Sequence, residues 1–393
     1  MNHKTKIIFI NQSSELYGSD KTLLDLVVGL KNNYDIDPIV IMQKPGLLDK
    51  ELEKHGIEYH FIPVLKLHKR MFHPLYLMHL AYHSFASVYH LHKLIKKNNV
   101  PLIYSNAFSV MLGNAYRFWF KIHHIWHCHE IIESPKTFVR IYHKIVKSKL
   151  VDEVIYNSRT TLESWVGQDK IMQSKSNLVY NGIELTIKLA SPESVNQLKS
   201  SLFPDANDQT LIYGNIGRIS ERKGIELLVD AFYRIQQNNP NVRLLFVGSP
   251  VPGKEDFLTH IENKIKTYAI GDKVKIVPFV KNVYPYWQVM DIAVIPSMEP
   301  EPFGLVAIEA MLTKKPVVAA NHGGLTEIVD DQVTGYKFIP NNVDDLVNKL
   351  ELLANEPQKI ESFGENGFER VNRKFDVKKY VQNVHQVIKK YTA

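Results

Sequence analysis

The stretch IAVIPSMEPEPFGLVAIEA, residues 292–310, decides the fold of this chain. Its first four residues form an apolar run typical of a buried strand, and Pro302 and Gly304 predict a tight turn after it. An apolar helix is predicted to begin at that turn. A buried strand that leads through a short turn into a helix is the repeating unit of sheets whose strands run parallel.

The same turn carries groups that suit a ligand. Backbone N–H groups at a helix start have no partner within the helix, and they attract phosphate or sugar oxygens. Glu301 lies before the helix and Glu309 lies about a turn and a half inside it, and both carboxylates can accept hydrogen bonds from sugar hydroxyls. The alternatives are a solvated loop acid for Glu301 and a helix-surface acid for Glu309.

On both sides of this stretch, short apolar strands alternate with amphipathic helices. Two such runs are joined by a polar segment at 184–208, and the chain has 393 residues, enough for two to three domains. We therefore predict an α/β fold of two Rossmann-like, doubly wound domains. The expected bounds are 1–185 and 186–374, followed by a C-terminal helix at 375–393 that packs back toward the N-terminal domain.

A second loop, Gly214–Gly224, follows the first predicted strand of the C-terminal half and precedes a helix. Arg218 and Lys223 are two cations five residues apart on this glycine-bounded loop, and such a pair can neutralise a diphosphate. The spacing matches neither a P-loop nor a dinucleotide-binding fingerprint. The alternative is a solvated basic loop.

Two weaker signals follow strands of the N-terminal half. Gly18 comes after the first strand, where a glycine permits close approach of a ligand to the backbone, although a plain strand-to-helix turn is the alternative. His129 lies at a strand end, and ligands of open α/β sheets bind beyond such ends. His127 shares the same strand face, so periodicity does not separate the two histidines, and a core position is the common alternative for each.

Charge is distributed unevenly along the chain. Residues 1–190 contain 24 Lys and Arg against 16 Asp and Glu, whereas residues 191–393 contain 24 against 25. A basic half suggests an anionic partner, and we expect a basic, aromatic face to meet an anionic membrane surface or a lipid-linked acceptor. An ordinary basic surface is the alternative, and no nucleic-acid partner is expected. The predicted face contains Lys66, Lys69, Arg70 and Phe72.

Other features of the sequence indicate the compartment. A single cysteine, Cys128, excludes an internal disulfide framework and fits a reducing environment. No apolar run of about 18 residues occurs, so no transmembrane helix is expected, and no secretory signal pattern is recognised. These observations predict a cytoplasmic protein, with peripheral attachment to the inner face of the cell membrane as an extension of that prediction.

The order of these motifs is that of a known family. Over nearly its whole length the chain resembles the retaining GT-B glycosyltransferases of family 4, the group 1 glycosyltransferases. It departs from the family pattern at Phe279 and Tyr17, where glycines are usual, and at Glu184, where an aspartate is usual. The resemblance rests most specifically on Gly217-Arg218, Lys223-Gly224, Glu301 with Glu309, and Gly323-Gly324 with Glu327.

The resemblance implies an architecture and a set of roles. The two domains would face each other across a cleft. Arg218 and Lys223 would bind the donor diphosphate, Glu309 would hold the ribose, and His129 would approach the sugar. No metal or other cofactor is implied, because the nucleotide-sugar is a substrate. The implied catalytic set is His129, Glu301, Arg218 and Lys223, and the further donor contacts are Gly18, Phe279, Val280, Phe303, Gly304, Leu305, Val306 and Glu309.

The predicted function is metal-independent, retaining transfer of a sugar from a UDP- or GDP-sugar to a glycan or lipid-linked glycan, in bacterial cell-envelope polysaccharide synthesis. Two alternatives stay open. One is a degenerate protein of the same fold that binds without catalysis. The other is a nucleotide-sugar epimerase, which would share the donor contacts but would need no acceptor.

Overall fold

The computed structural model describes residues 4–64, 74–132 and 134–392, with side chains described outside 74–84. The chain divides into two compact units. The first is formed by residues 1–184 together with 376–393, and the second by residues 185–375. Each unit contains one parallel β-sheet with helices between successive strands.

The first unit is built on a seven-stranded sheet of order β3-β2-β1-β4-β5-β6-β7. Its strands are β1 (Thr5–Asn11), β2 (Ile36–Met42), β3 (Glu58–Phe61), β4 (Leu102–Asn106), β5 (His123–Cys128), β6 (Glu153–Tyr156) and β7 (Ser176–Leu178). Its helices are α1 (Gly18–Asn33), α2 (Leu47–Lys54), α3 (Pro74–Asn98), α4 (Leu112–Trp119), α5 (Lys136–Lys147), α6 (Arg159–Val166), α7 (Lys170–Ser174) and the last helix of the chain, α16 (Val377–Lys389).

The second unit is built on a six-stranded sheet of order β10-β9-β8-β11-β12-β13. Its strands are β8 (Leu211–Ile216), β9 (Val242–Val247), β10 (Val274–Val277), β11 (Ile292–Ile295), β12 (Val317–Ala320) and β13 (Gly335–Phe338). Its helices are α8 (Pro192–Leu202), α9 (Ile225–Asn238), α10 (Glu255–Thr267), α11 (Tyr284–Val289), α12 (Leu305–Leu312), α13 (Leu325–Ile328), α14 (Val343–Ala354) and α15 (Pro357–Lys374).

Burial on both faces explains why the central strands are continuous apolar runs. Every side chain of Ile7–Ile10 in β1 is fully buried, and so are those of Ile292–Val294 in β11. A strand in a parallel sheet is covered by helices on each side, so both its faces need apolar residues. The polar residues of these strands are therefore confined to the strand ends, next to the connecting loops.

Helix α16 belongs to the first unit, although 191 residues of the second unit precede it in the chain. Tyr380, Val381 and Val384 are buried in the core that α1 also lines. Gly29 of α1 lets the two helices approach closely, since a Cβ there would lie 2.6 Å from a methyl group of Val381. The chain therefore returns to its first unit for its last helix.

The polar segment expected to be a linker contains a regular helix. Ser191 caps α8 by accepting a 3.3 Å hydrogen bond from the Ser194 N–H, and Pro192 occupies its first turn. No side chain of α8 is fully buried. Hydrophobic periodicity therefore gave no helix signal at 192–202, although the cap and the proline were both visible.

Candidate functional site

In the second unit, the loops that follow the strands meet at one edge of the sheet, because all six strands run in the same direction. Ligands of open parallel sheets bind at this carboxyl edge. The turn after β8 contains Lys223, and the turn after β11 contains Glu301. Since β8 and β11 are neighbours, the two charged turns lie side by side.

Glu301 is the centre of a charged cluster. Its Oε1 accepts a 2.6 Å hydrogen bond from Lys223 Nζ and a 2.5 Å hydrogen bond from Ser297 Oγ. Arg222 Nη1 lies 3.7 Å from the other carboxylate oxygen. The Glu301 side chain is 8% exposed and that of Lys223 is 20% exposed, so solvent screens their interaction weakly. The alternative of a solvated loop acid is therefore wrong for Glu301.

The cluster holds Glu301 as an anion. Burial by itself would raise the pKa of this carboxyl, because the charged form loses its hydration. The positive charges of Lys223 and Arg222, with hydrogen bonds from Lys223 and Ser297, outweigh burial and lower the pKa to about 2. Two cations then face one carboxylate, which leaves the cluster of Glu301, Lys223 and Arg222 with an excess of positive charge.

The glycine pair Gly323-Gly324 packs directly against the backbone of Glu301. Gly323 has a φ of +61°, and a Cβ there would lie 2.4 Å from the Glu301 carbonyl oxygen. The Gly324 N–H donates a 2.6 Å hydrogen bond to that same oxygen. A Cβ at Gly324 would lie 2.5 Å from the Phe303 carbonyl oxygen, so the close approach of the two turns explains both glycines.

Helix α12 begins directly behind this cluster. Gly304 takes the N-cap position with a φ of +114°, which favours glycine, and it offers no side-chain acceptor. The N–H groups of Leu305 and Val306 therefore belong to an uncapped helix start. Phe303 is buried against Phe375, so only its backbone can meet a ligand. Glu309 is 8% exposed, which excludes a solvated helix-surface acid.

Other predicted donor contacts lie further along the edge. Arg218 follows β8 and is exposed. Phe279 follows β10, is 46% exposed, and donates its backbone N–H to Ser249 Oγ at 2.9 Å. Val280, beside it, is partly exposed. Strands β9 and β8 separate β10 from β11, so these two residues lie about three strand spacings, roughly 15 Å, from the Glu301 turn.

In the first unit, His129 follows β5 at the carboxyl edge of the sheet. Its Nε2 lies 2.8 Å from Asn106 Oδ1, and its Nδ1 lies 3.5 Å from Asn157 Nδ2. Burial lowers the pKa of His129 to about 3, so the ring is neutral near pH 7. Gly18 is exposed and begins α1, which starts above the end of β1 on the same edge.

The structure separates the two histidines that periodicity left equivalent. His127 is fully buried, and its Nδ1 lies 2.7 Å from the Tyr104 hydroxyl. Burial and the neighbouring His129 hold the pKa of His127 well below its usual range. His129 is only partly buried, with its ring centroid 3.9 Å from that of His127. His127 is a core residue, whereas the His129 side chain is partly exposed and can contact a ligand.

Sequence reasoning missed several polar residues of these edges. Arg222 and Ser297 share Glu301 with Lys223. In the first unit the missed residues are Asn11, Asn106 and Asp20, which are all fully buried. Asparagine as the last residue of both β1 and β4 was the available signal, since a polar residue at a strand end faces the ligand edge.

Comparison with known proteins assigns both halves of the chain. The model of the family described as Glycosyltransferase Family 4 matches residues 18–187, and that of Glycosyl transferases group 1 matches residues 199–370. The chain belongs to the group 1 glycosyltransferases of the family 4 type. The predicted family is thereby confirmed.

Named relatives of this glycosyltransferase cover only part of its length. It is 28% identical over 259 residues to the alpha-1,3/1,6-mannosyltransferase ALG2 of Dictyostelium discoideum, 61% of each chain. It is 30% identical over 184 residues to the capsular polysaccharide biosynthesis glycosyltransferase CapM of Staphylococcus aureus, 46% of each chain. The matches thus span about half to three fifths of these relatives' lengths.

Solved structures match the fold over nearly the whole chain. HepE of Anabaena, in complex with UDP and glucose, is similar with a TM-score of 0.84 and 24% identity, covering 98% of this chain and 99% of that one. Sucrose-phosphate synthase of Thermosynechococcus elongatus is similar with a TM-score of 0.78 and 22% identity, covering 98% of each chain. The predicted α/β fold with two doubly wound domains is confirmed.

The predicted membrane face stays a prediction, because its residues are not described by the structure. Lys66, Lys69, Arg70 and Phe72 lie outside the described residues. Within the described ranges, no helix has both the length and the apolar character needed to cross a bilayer.

Proposed function

We propose that this glycosyltransferase is retaining and transfers a sugar from a UDP- or GDP-sugar to a glycan or lipid-linked glycan, in assembly of a bacterial cell-envelope polysaccharide. In this reaction the bond between the sugar C1 and the phosphate oxygen breaks, and a bond from C1 to the acceptor oxygen forms on the same face. The acceptor hydroxyl gives its proton to the departing phosphate.

The observation that carries the donor proposal is the cluster of Glu301, Lys223 and Arg222 beside the start of α12. Its excess of positive charge favours a diphosphate in the departing state, when negative charge increases. The carboxylate and the uncapped N–H groups of Leu305 and Val306 are suited to sugar and phosphate oxygens. A nucleoside diphosphate sugar presents both kinds of group at adjacent atoms.

Thermal shift with a panel of nucleotide-sugars tests the donor. A ligand that binds only the folded state stabilises it by about 2.7 kcal/mol at a hundredfold excess over Kd. We expect one UDP- or GDP-sugar to raise the melting temperature equally with and without EDTA. The shift should disappear in Lys223→Ala and Glu309→Ala and persist in Lys314→Ala, whose side chain pairs with Glu365 at the surface.

Product analysis then separates the alternatives. Conversion of the donor sugar to an isomer without an acceptor would indicate an epimerase, and a thermal shift without any turnover would indicate a binding protein. Absence of a shift with every nucleotide and nucleotide-sugar would refute the donor proposal itself.

Exposed aromatic side chains on α3 and α4 support attachment to a membrane surface. Phe118 and Trp119 at the end of α4 are 68% and 66% exposed, and Phe85 on α3 is 74% exposed. Helix α3 contacts the end of α4, where the His92 ring stacks on that of Phe120, the residue after α4, with the ring centroids 4.2 Å apart. Aromatic rings of this kind enter the interface of a bilayer.

Several exposed cations lie on α3 or directly after α4. Lys93, Lys96, Lys97 and Lys121 are exposed and add the charge that anionic lipids attract. Arg117 does not contribute, since both its terminal nitrogens pair with Asp152.

Flotation with liposomes tests this attachment. The protein should float with vesicles that contain anionic phospholipid at low salt, and less with purely zwitterionic vesicles. A Phe118→Ser/Trp119→Ser double variant should lose most of the bound fraction. Ile339→Ser, which removes a 60% exposed apolar side chain from the second unit, is the control and should float normally. Equal flotation of both variants would refute this surface.

A further inference from the structure

Four polar side chains form a continuous hydrogen-bonded chain along the carboxyl edge of the first sheet. Asn11 Nδ2 donates to Asp20 Oδ1 at 2.8 Å, and Asn106 Nδ2 donates to Asn11 Oδ1 at 2.8 Å. Asn106 Oδ1 in turn lies 2.8 Å from His129 Nε2. Asp20, Asn11 and Asn106 are completely buried, so water does not compete for these bonds.

The carboxylate at one end determines the orientation of the first amide. Asp20 is surrounded by donors, namely the Ser13 hydroxyl and the N–H groups of Glu15 and Leu16. Asn11 must therefore turn its NH₂ group toward Asp20. The same NH₂ group also donates to the Ser13 carbonyl at 2.8 Å. A flipped Asn11 amide would place its oxygen against two acceptors, which is repulsive.

The orientation passes to the second amide by the same rule. The Asn106 NH₂ group faces two acceptors, Asn11 Oδ1 and the Ser19 carbonyl, the latter at 3.2 Å. Only its oxygen is left for the histidine. An amide oxygen accepts and cannot donate, so the proton of the neutral His129 ring must lie on Nε2.

The amide on the other side of the ring does not make this choice. Asn157 Nδ2 lies 3.5 Å from His129 Nδ1, at the outer limit for a hydrogen bond, while Asn157 Oδ1 is buried without a hydrogen-bond partner in the described chain. Asn157 can therefore present its NH₂ group or its oxygen to Nδ1. Asn106 therefore selects the tautomer, because Asn11 and the Ser19 carbonyl determine the orientation of its amide.

We propose that Asp20, Asn11 and Asn106 are positioning residues that select the Nε2–H tautomer of His129 and leave Nδ1 as an acceptor for a hydroxyl of a ligand bound at this edge of the first sheet. The second half of this inference rests on the proposed function. We call the hydrogen-bonded chain of Asp20, Asn11 and Asn106 the relay. It gives the neutral His129 imidazole one defined acceptor atom, whereas an unconstrained ring would exchange its proton between the two nitrogens.

The relay is tested by ¹⁵N NMR of the histidine rings in the full-length protein, with the His129 signals assigned by their loss in His129→Gln. We expect the unmodified protein to show a protonated Nε2 and an unprotonated Nδ1. In Asn106→Leu the Nε2 proton loses its acceptor, and Asn157 can turn its oxygen to Nδ1, so the Nδ1–H tautomer should become the major one.

Asn11→Leu tests transmission along the relay. Asp20 also accepts hydrogen bonds from the loop before α1. A substitution at Asn11 therefore disturbs less of the structure than a substitution at Asp20. The Asn106 amide then loses one of its two constraints, and a mixture of His129 tautomers should be seen. Asn114→Leu replaces another buried asparagine, on α4 and outside the relay, and should leave the His129 signals unchanged.

These outcomes separate the relay from the proposed function. A protonated Nδ1 in the unmodified protein, or unchanged tautomers in folded Asn106→Leu and Asn11→Leu, would overturn the relay even if the protein transfers sugar. Absence of transfer with the tautomer pattern as expected would overturn the proposed function alone. With an identified donor, Asn11→Leu should lower kcat/KM by about tenfold, and Asn114→Leu should not.

Discussion

The carboxyl edges of the two sheets hold their polar side chains by opposite means. In the second unit, Glu301 is charged and is shared by Lys223 and Arg222. In the first unit, His129 is neutral and is held by the amide of Asn106, which is itself oriented by a buried hydrogen-bonded chain. Ion pairs hold the Glu301 side chain at the second edge, and the direction of hydrogen bonds orients the His129 ring at the first.

The difference shows two ways of making a site insensitive to pH. Nearby cations lower the pKa of Glu301 to about 2 in spite of its burial. Burial lowers the pKa of His129 to about 3. Both groups therefore keep a single protonation state across the physiological range, one charged and the other uncharged. The first edge is suited to a polar, uncharged group, and the second is suited to an anionic group.

Removing the main cation of the second edge should have the largest effect. Lys223→Ala leaves the buried Glu301 carboxylate with Arg222, at 3.7 Å, and with the hydrogen bond from Ser297. We expect kcat/KM to fall by about 10²–10³-fold and the free energy of unfolding to fall by about 3 kcal/mol. Steady-state kinetics and urea unfolding measure the two effects.

Lys314→Ala is the control for this change. Its partner Glu365 lies at 2.7 Å, with both side chains about half exposed, so the expected loss of stability is below about 1 kcal/mol. Equal losses in the two variants would show that burial of the Glu301 cluster contributes nothing.

Within the first edge, the two histidines should separate stability from activity. His127→Ala removes a fully buried ring bonded to Tyr104 and should cost about 2 kcal/mol of unfolding free energy. His129→Ala should cost less stability but should lower kcat/KM by about 10²-fold. Urea unfolding and kinetics on both variants provide the measurement, and a reversed pattern would assign the substrate contact to His127.

The pH dependence of stability should show the smallest effect, with different windows for the two edges. Unfolded His129 binds a proton below its usual pKa of 6.5 and the folded residue only near 3, so its contribution is lost as pH falls below 6.5. Glu301 contributes fully above 4.5 and loses its contribution as pH falls toward 2. Each slope is at most about 1.4 kcal/mol per pH unit.

Urea unfolding between pH 7 and 3 checks these windows by difference from the unmodified protein. His129→Gln should flatten the curve below 6.5, whereas Lys223→Ala should flatten it only below 4.5. A single shared window would contradict the contrast between the edges.

Much of the fold was predictable because parallel strands buried on both faces leave long apolar runs. The runs at 7–10 and 292–295 are fully or almost fully buried, and each was recognised as a strand. Strand β13 at 335–338 was missed, since its sequence GYKF contains a glycine and a lysine and so forms no continuous apolar run. Helix α8 was missed because it buries no side chain completely and so has no apolar stripe.

The candidate site was predictable where a motif is local. Glu301, Gly304, Lys223 and His129 each follow a strand, and their residue types suggest binding chemistry. Arg222 was passed over for Arg218, because spacing along a loop does not show which cation turns toward a carboxylate 79 residues away. Asn11 and Asn106 were missed because an isolated asparagine at a strand end is a weak signal.

By itself, the sequence determined the alternation of strands and helices and the loops that carry polar groups, because periodicity and turn residues act over a few neighbouring positions. Only the tertiary structure decided that Lys223 shares Glu301 with Arg222 and that His127 is core while His129 is accessible. It alone also showed the chain of hydrogen bonds from Asp20 to His129. Those outcomes depend on which strands are neighbours in the sheet, and this is set by burial of the whole core and not by any local pattern.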